Sequence, residues 1–269
     1  LLEMGLETAE RRYNNAVCYS LSMCAQVTGP ATEDTRHLVT VRNGVYDWRN
    51  HRLVPWAPEL KLLGGMPVAY VGAASRVPVQ ENRVHEFWGG FGLDVYNRMI
   101  HWVFTRVIQP SPGGLLLFLI GSAGCGKTTA TTETIKRLVG HSPATLTVDE
   151  IDEGGHVLSA WHETFANLSD EIGSSEFKGV DCLKRIATQA TILFNPKFQV
   201  PFSTRCVTTP IFAGNRMPWL PDLDEALLDR LAIVRFTQRF RNRKSEIKDL
   251  PAYLDAIPQE DWDSFFSDM

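Results

Sequence analysis

No apolar run in the sequence is longer than six residues, Leu115 to Ile120, far short of the roughly 20 needed to cross a bilayer as a helix. The N-terminus lacks a basic stretch followed by an apolar one, so no secretory leader is readable. Cysteines are few and scattered. Cys18, Cys24, Cys125, Cys182 and Cys206 contain no C-x-x-C pair, and an odd count without framework spacing predicts a reducing compartment and no disulfide scaffold. A zinc site is excluded on similar grounds, because His156 and His162 are spaced off a single helical face. Positive charge is not in excess either: 27 Lys and Arg against 31 Asp and Glu give a net charge of −4. No global basic field therefore advertises nucleic acid. That excludes little, since a channel needs positive charge only on its wall. Internal repeats and low-complexity segments are also missing.

What remains is ordinary globular composition, 44% hydrophobic and 22% charged over 269 residues, enough for one large domain or two smaller ones. The chain opens Leu-Leu-Glu without an initiator Met, so it is read as a piece of a longer polypeptide. Leu6, Ala9, Tyr13, Ala16, Val17 and Leu21 recur at helical spacing and predict a helix over 1–26. Residues 27 to about 80 are β-rich, with Asn43-Gly44 between β-prone runs predicting a hairpin whose turn residues accept positive φ. Helical periodicity returns from Val84 to Val107 and breaks at 109–114. Thereafter apolar strands alternate with helical stretches, the texture of an α/β fold around a mostly parallel sheet. The expected organisation is an accessory helix and β-hairpin segment over 1–82, a larger α/β domain over 83–246, and a C-terminal tail over 247–269.

The strongest motif follows the apolar run at once: Gly121-Ser122-Ala123-Gly124-Cys125-Gly126-Lys127-Thr128, with Thr129 next in line. Its glycines let backbone N–H groups turn toward phosphate oxygens. Lys127 places a positive charge against the β- and γ-phosphates, and the Thr128 hydroxyl suits Mg²⁺. Residues 128–139 read as a helix ended by Gly140, whose N-terminus adds its dipole. The bare pattern would arise by chance in about one chain in a hundred of this length, and the strand–loop–helix context lowers that further. Nucleotide binding, with ATP and Mg²⁺ as ligands, is the expectation.

A motor needs more: an acidic group for the metal and the water, a polar sensor of the γ-phosphate, and often an arginine from a neighbour. Two acidic pairs compete, Asp149/Glu150 and Asp170/Glu171. Asn215 ends a second buried-strand pattern, Cys206 to Ala213, where α/β sheets place ligand-contacting groups. Arg230 precedes another apolar strand. Asn195-Pro196-Lys197 is a turn signal between β-prone runs. Arg239 to Lys244 is a basic cluster that reads as a solvated strand end or a DNA contact.

In order along the chain, six segments resemble superfamily 3 helicases of the AAA+ class, in particular the helicase half of phage and plasmid primases and of poxvirus primase-helicases. They are Asn43 to Trp48 with Leu53 to Trp56, the P-loop, Leu168 to Glu171, Lys184 to Phe198, Ile211 to Pro218, and Ala226 to Arg230. The resemblance implies a hexameric ring that unwinds duplex DNA in a bacterial host cell or at a viral replication site. It favours Asp170 beside Mg²⁺ and Glu171 polarising the attacking water. It further implies Asn215 as sensor, Arg230 as a finger reaching the next subunit, and Lys197 on a pore hairpin gripping single-stranded DNA. A primase or polymerase domain upstream is implied as well. Cys125 departs from the polar residue common at that position, and residues 1–37 match weakly. Rival readings are a DNA-acting loader or remodeller that does not unwind, a small-molecule kinase, and a non-catalytic ring subunit. The kinase would need a lid and substrate arginines close after the P-loop, which are missing.

Overall fold

The computed structural model describes residues 37–57, 60, 62, 65–109, 115–161, 164–170, 185, 190–197, 200–206, 208–218 and 225–269. The helix expected over 1–26 lies outside them, as do Glu171 and nearly all of 184–189. The chain forms two compact units, Leu1–Met66 and Pro67–Met269.

In the first unit, β1 (Leu38–Val41), β2 (Gly44–Asp47) and β3 (Arg52–Val54) form an antiparallel meander. Its core is Val39, Val41, Val45 and Tyr46. The hairpin is where the sequence places it, but the turn is not. Val41 pairs with Gly44, so Arg42 and Asn43 are the connecting residues, and of the three only Gly44 has positive φ, at +151°. At the second turn Asp47 accepts from the Asn50 N–H at 3.2 Å, Asn50 Nδ2 at 2.7 Å and Arg52 Nε at 3.4 Å. Burial alone would raise the Asp47 pKa, and these hydrogen bonds together outweigh it and hold the carboxyl below its usual range.

The second unit is built on a parallel sheet, as the alternating pattern predicts, from β4 (Leu116–Gly121), β5 (Ala166–Ser169), β8 (Thr209–Gly214) and β9 (Leu231–Phe236). The strand order is β5-β8-β4-β9. Leu116 to Leu119 are all buried, because a central parallel strand is covered on both faces. Leu116, Phe118 and Phe212 share a core cluster with Trp161, Ile151 and the hairpin residues Ile192 and Phe194. That hairpin pairs β6 (Thr191–Phe194) with β7 (Phe202–Arg205).

Helices α1 (Arg83–Gly89), α2 (Leu93–Arg98) and α3 (Thr105–Ile108) replace one long helical stretch. The break falls at Gly89-Gly90-Phe91-Gly92, where Gly92 has φ +96°, and Met99–Phe104 between α2 and α3 is π-helical. Helix α4 (Lys127–Val139) ends at Gly140 in the left-handed conformation, as its sequence requires. Two short helices follow, α5 (Val148–Glu153) and α6 (Glu225–Leu228), and two close the chain, α7 (Leu250–Asp255) and α8 (Gln259–Ser267).

The second unit begins at Pro67 and runs to Met269. Residues 69–83 run along α8, whose polar side chains satisfy their backbone. Ala69 N–H donates to Asp263 Oδ1 at 2.9 Å, Val71 N–H to Ser267 Oγ at 2.8 Å, and Val77 N–H to Ser264 Oγ at 2.9 Å. Asn82 caps α1 and donates to the Asp261 carbonyl at 2.8 Å. Trp262, Phe265 and Phe266 are buried. Residues 67–82 and 247–269 thus pack together within the second unit. No helix among the described residues is long and apolar enough to cross a membrane.

Candidate functional site

The glycine-rich loop lies between the C-terminal end of β4 and the N-terminus of α4. Gly124 and Gly126 take φ of +81° and +78°, which L side chains rarely adopt, so the loop's shape depends on them. A Cβ on Gly121 would lie 2.7 Å from the Phe236 carbonyl oxygen. Cys125 is buried and its N–H donates to the Ser122 carbonyl at 3.3 Å. An apolar thiol at this position packs inward, and the departure from a polar residue leaves the loop intact. Lys127 is buried with its Nζ donating to the Gly121 carbonyl at 2.9 Å and to Asn215 Oδ1 at 3.4 Å.

Asn215 reaches Lys127 because β8 neighbours β4 in register, Ile120 opposite Gly214. One strand further, Ser169 of β5 sits opposite Phe212, which places the exposed Asp170 at the same C-terminal edge of the sheet. Strands are about 4.8 Å apart, so the P-loop, Asn215 and Asp170 occupy one side of the sheet within two strand spacings. This is the edge where open α/β sheets bind ligands. Thr128 and Asp170 are a hydroxyl and a carboxylate, a donor set that suits Mg²⁺, which usually takes one or two protein ligands and completes its shell with phosphate oxygens and water. Among the described residues no cluster of three His, Cys, Asp or Glu side chains exists to hold a metal by itself.

The rival pair Asp149/Glu150 lies in the first turn of α5. Glu150 closes a capping box with Thr147: its carboxylate accepts from the Thr147 N–H at 2.8 Å and the Thr147 hydroxyl at 2.9 Å. These hydrogen bonds keep its pKa below the usual value, and they commit it to helix capping. The segment before it makes one parallel bridge, Ala144 to Asn167.

Arg230 is on the other side of the sheet. It precedes β9, whose Leu231 pairs with Leu116, and its carbonyl accepts from the Leu116 N–H at 2.7 Å. Five strand residues separate that level from Gly121, roughly 16 Å at the usual rise. Arg230 therefore does not join the site of its own chain. Lys197 is exposed between β6 and β7, in the connection of the expected hairpin.

Sequence reasoning missed the site's second wall. The side chains of the basic cluster at 239–244 are exposed, as a solvated strand end would have them, yet its backbone is anchored: the Phe240 and Arg241 N–H groups both donate to the Gly124 carbonyl, at 3.0 and 3.1 Å. A cleft of about 720 Å³ opens beside the loop, bounded by Gly124 to Ala130, by Phe87 and Phe91, and by Phe240, Arg241, Ile247 and Tyr253. Three cationic side chains, Lys127, Arg241 and Lys248, line it against the carboxylates of Glu86 and Glu246. The sequence signals for it were the basic cluster itself and the four-residue spacing of Phe87 with Phe91 and of Phe236 with Phe240.

A family described as "Family of unknown function (DUF5906)" matches residues 119–230. No curated protein matches the chain. An apo structure of the NrS-1 C-terminal region is similar at 13% identity and TM-score 0.55, covering 75% of this chain and 47% of that one. Another apo structure of that region gives 14% identity and TM-score 0.54, with 76% and 48% covered. JCV helicase, at 14% identity and TM-score 0.44 over 72% of this chain and 55% of that one, adds no argument. The chain thus spans about half the length of the NrS-1 regions it matches. At such identities the likeness concerns fold: a mixed α/β architecture with a four-stranded parallel sheet, consistent with P-loop nucleotide hydrolases.

Proposed function

We propose that this chain is the motor module of an ATP-driven DNA helicase of the superfamily 3 type, working as a homo-hexameric ring. The observation that carries the reading is the 3.4 Å approach of Lys127 Nζ to Asn215 Oδ1, which links the P-loop cation to a polar group on the adjacent strand. In this reading the loop amides of Gly121 to Thr129 hold the phosphates of ATP. Lys127 exchanges the Gly121 carbonyl for phosphate oxygens, and Asn215 follows the state of the terminal phosphate. Asp170 and Thr128 hold Mg²⁺, which would neutralise charge on the phosphates when bound. Glu171, next in sequence to Asp170, orients the attacking water. Arg230 serves the neighbouring subunit, a role supported by its place at the sheet edge remote from its own P-loop. Lys197 on the β6–β7 connection contacts single-stranded DNA.

ATP turnover and displacement of a strand from forked DNA, measured together, test the reading. Lys127→Ala should remove both, and retained turnover would sink the assignment. Lys197→Ala should weaken DNA binding and spare basal turnover. Turnover without strand displacement would favour a loader or remodeller instead.

A further inference from the structure

After β9 the chain passes directly over the phosphate-binding loop. The Gly124 carbonyl accepts from two successive N–H groups, those of Phe240 and Arg241. A turn follows at Asn242, which has φ +63° and whose N–H donates to Glu246 Oε2 at 2.9 Å. The Arg241 side chain then runs along the bare face of Gly124. A Cβ on Gly124 would lie 2.7 Å from Arg241 Cβ, 3.3 Å from its Cδ and 3.4 Å from its Nε. Arg241 and Lys127 line the same cleft, and Arg241 is exposed, with no ion pair to a carboxylate among the described residues.

We propose that Arg241 is a direct ligand of the bound nucleotide's phosphates, supplied in cis by the segment that follows the last strand. This rests on the nucleotide-binding reading above and adds to it a second cation from outside the loop. A guanidinium presents a planar fork of donors that matches phosphate oxygens better than a point charge does. The paired hydrogen bonds to the Gly124 carbonyl hold the Arg241 backbone in place before ligand arrives, so only the side chain remains to be ordered on binding. They also explain the glycine: besides its positive φ, position 124 has no room for a side chain while Arg241 lies against it.

The test is a fluorescence titration of the 269-residue chain with mant-ATP at several salt concentrations, comparing Arg241→Met, Arg241→Lys and Arg239→Met. Methionine keeps an unbranched stem against Gly124 and removes the charge. Arg241→Met should weaken binding about tenfold, the scale of a charged hydrogen bond, and flatten its salt dependence. Arg241→Lys should recover part of the loss, and Arg239→Met should bind as the unsubstituted chain does. Unchanged affinity in Arg241→Met overturns the proposal. A loss with unaltered salt dependence, or one that lysine does not relieve at all, also overturns it, because the side chain would then act by packing. If the unsubstituted chain binds no mant-ATP, the nucleotide reading itself fails, a result distinct from failure of the arginine alone.

Discussion

Lys127 Nζ and Asn215 Oδ1 lie 3.4 Å apart, joining the first turn of α4 to the residue that follows β8. Removing the asparagine amide should leave the loop and its lysine in place. Asn215→Ala is expected to bind ATP with nearly unchanged affinity and to turn it over about a hundredfold more slowly, the usual cost of one oriented polar group at a reacting centre. Steady-state phosphate release and equilibrium nucleotide binding, measured on the same preparation, separate the two effects.

Arg230 stands at the sheet edge remote from its own P-loop, so its contribution should cross between subunits. Arg230→Ala and Lys127→Ala chains should each be inactive alone. Mixed, they should recover part of the turnover, because some junctions then pair an intact loop with an intact arginine. Absence of recovery at every mixing ratio would count against a finger in trans.

Asn167 is fully buried in β5, and its role is architectural. Its Oδ1 accepts from the Leu146 N–H at 2.8 Å and Trp161 Nε1 at 2.9 Å, while its Nδ2 donates to the Leu146 carbonyl at 3.0 Å. Asn167→Ala leaves those three groups without their partner and should cost about 3 kcal/mol of stability. Urea denaturation checks this; a loss below about 1 kcal/mol would mean that other partners replace the amide.

His85 predicts a pH dependence. Burial pushes its pKa below the ordinary 6.5, against the opposing pull of Asp268 and Asp261. Its Nε2 lies 3.1 Å from Asp268 Oδ2, its Nδ1 lies 2.7 Å from the Tyr96 hydroxyl, and Phe265 packs edge-on to the ring. Between the unfolded and folded pKa values the unfolded chain binds the extra proton. Stability is therefore complete above about pH 6.5 and declines as the pH falls from there through the lowered folded value. Urea midpoints at pH 7.5 and 5.5 should differ more for the unsubstituted chain than for His85→Gln.

The parts of the site readable from sequence were those set by neighbours along the chain. The P-loop needs a strand, glycines at fixed offsets and a helix, all within residues 115–140. Asn215 was legible for the same reason, as the residue at the end of an apolar strand. The hairpin at 191–205 showed itself through a turn signal between β-prone runs. Where reading failed, the deciding partner was distant. Asn43-Gly44 was a sound turn signal, yet pairing of Val41 with Gly44 moved the turn one residue back. The anchoring of the basic cluster was not legible, because nothing local reveals that the Gly124 carbonyl receives the Phe240 and Arg241 N–H groups.

Sequence alone determined that this chain carries a glycine-rich loop of the P-loop pattern between a buried strand and a helix ended by glycine, since backbone conformation and burial pattern are local properties. Only the tertiary structure decided which strands flank that loop, and hence that Asn215 and Asp170 share its edge while Arg230 lies opposite. It likewise decided that residues 67–82 and the last helix form part of the same unit. Those outcomes depend on strand order and on hydrogen bonds between residues far apart in the chain, which no local pattern encodes.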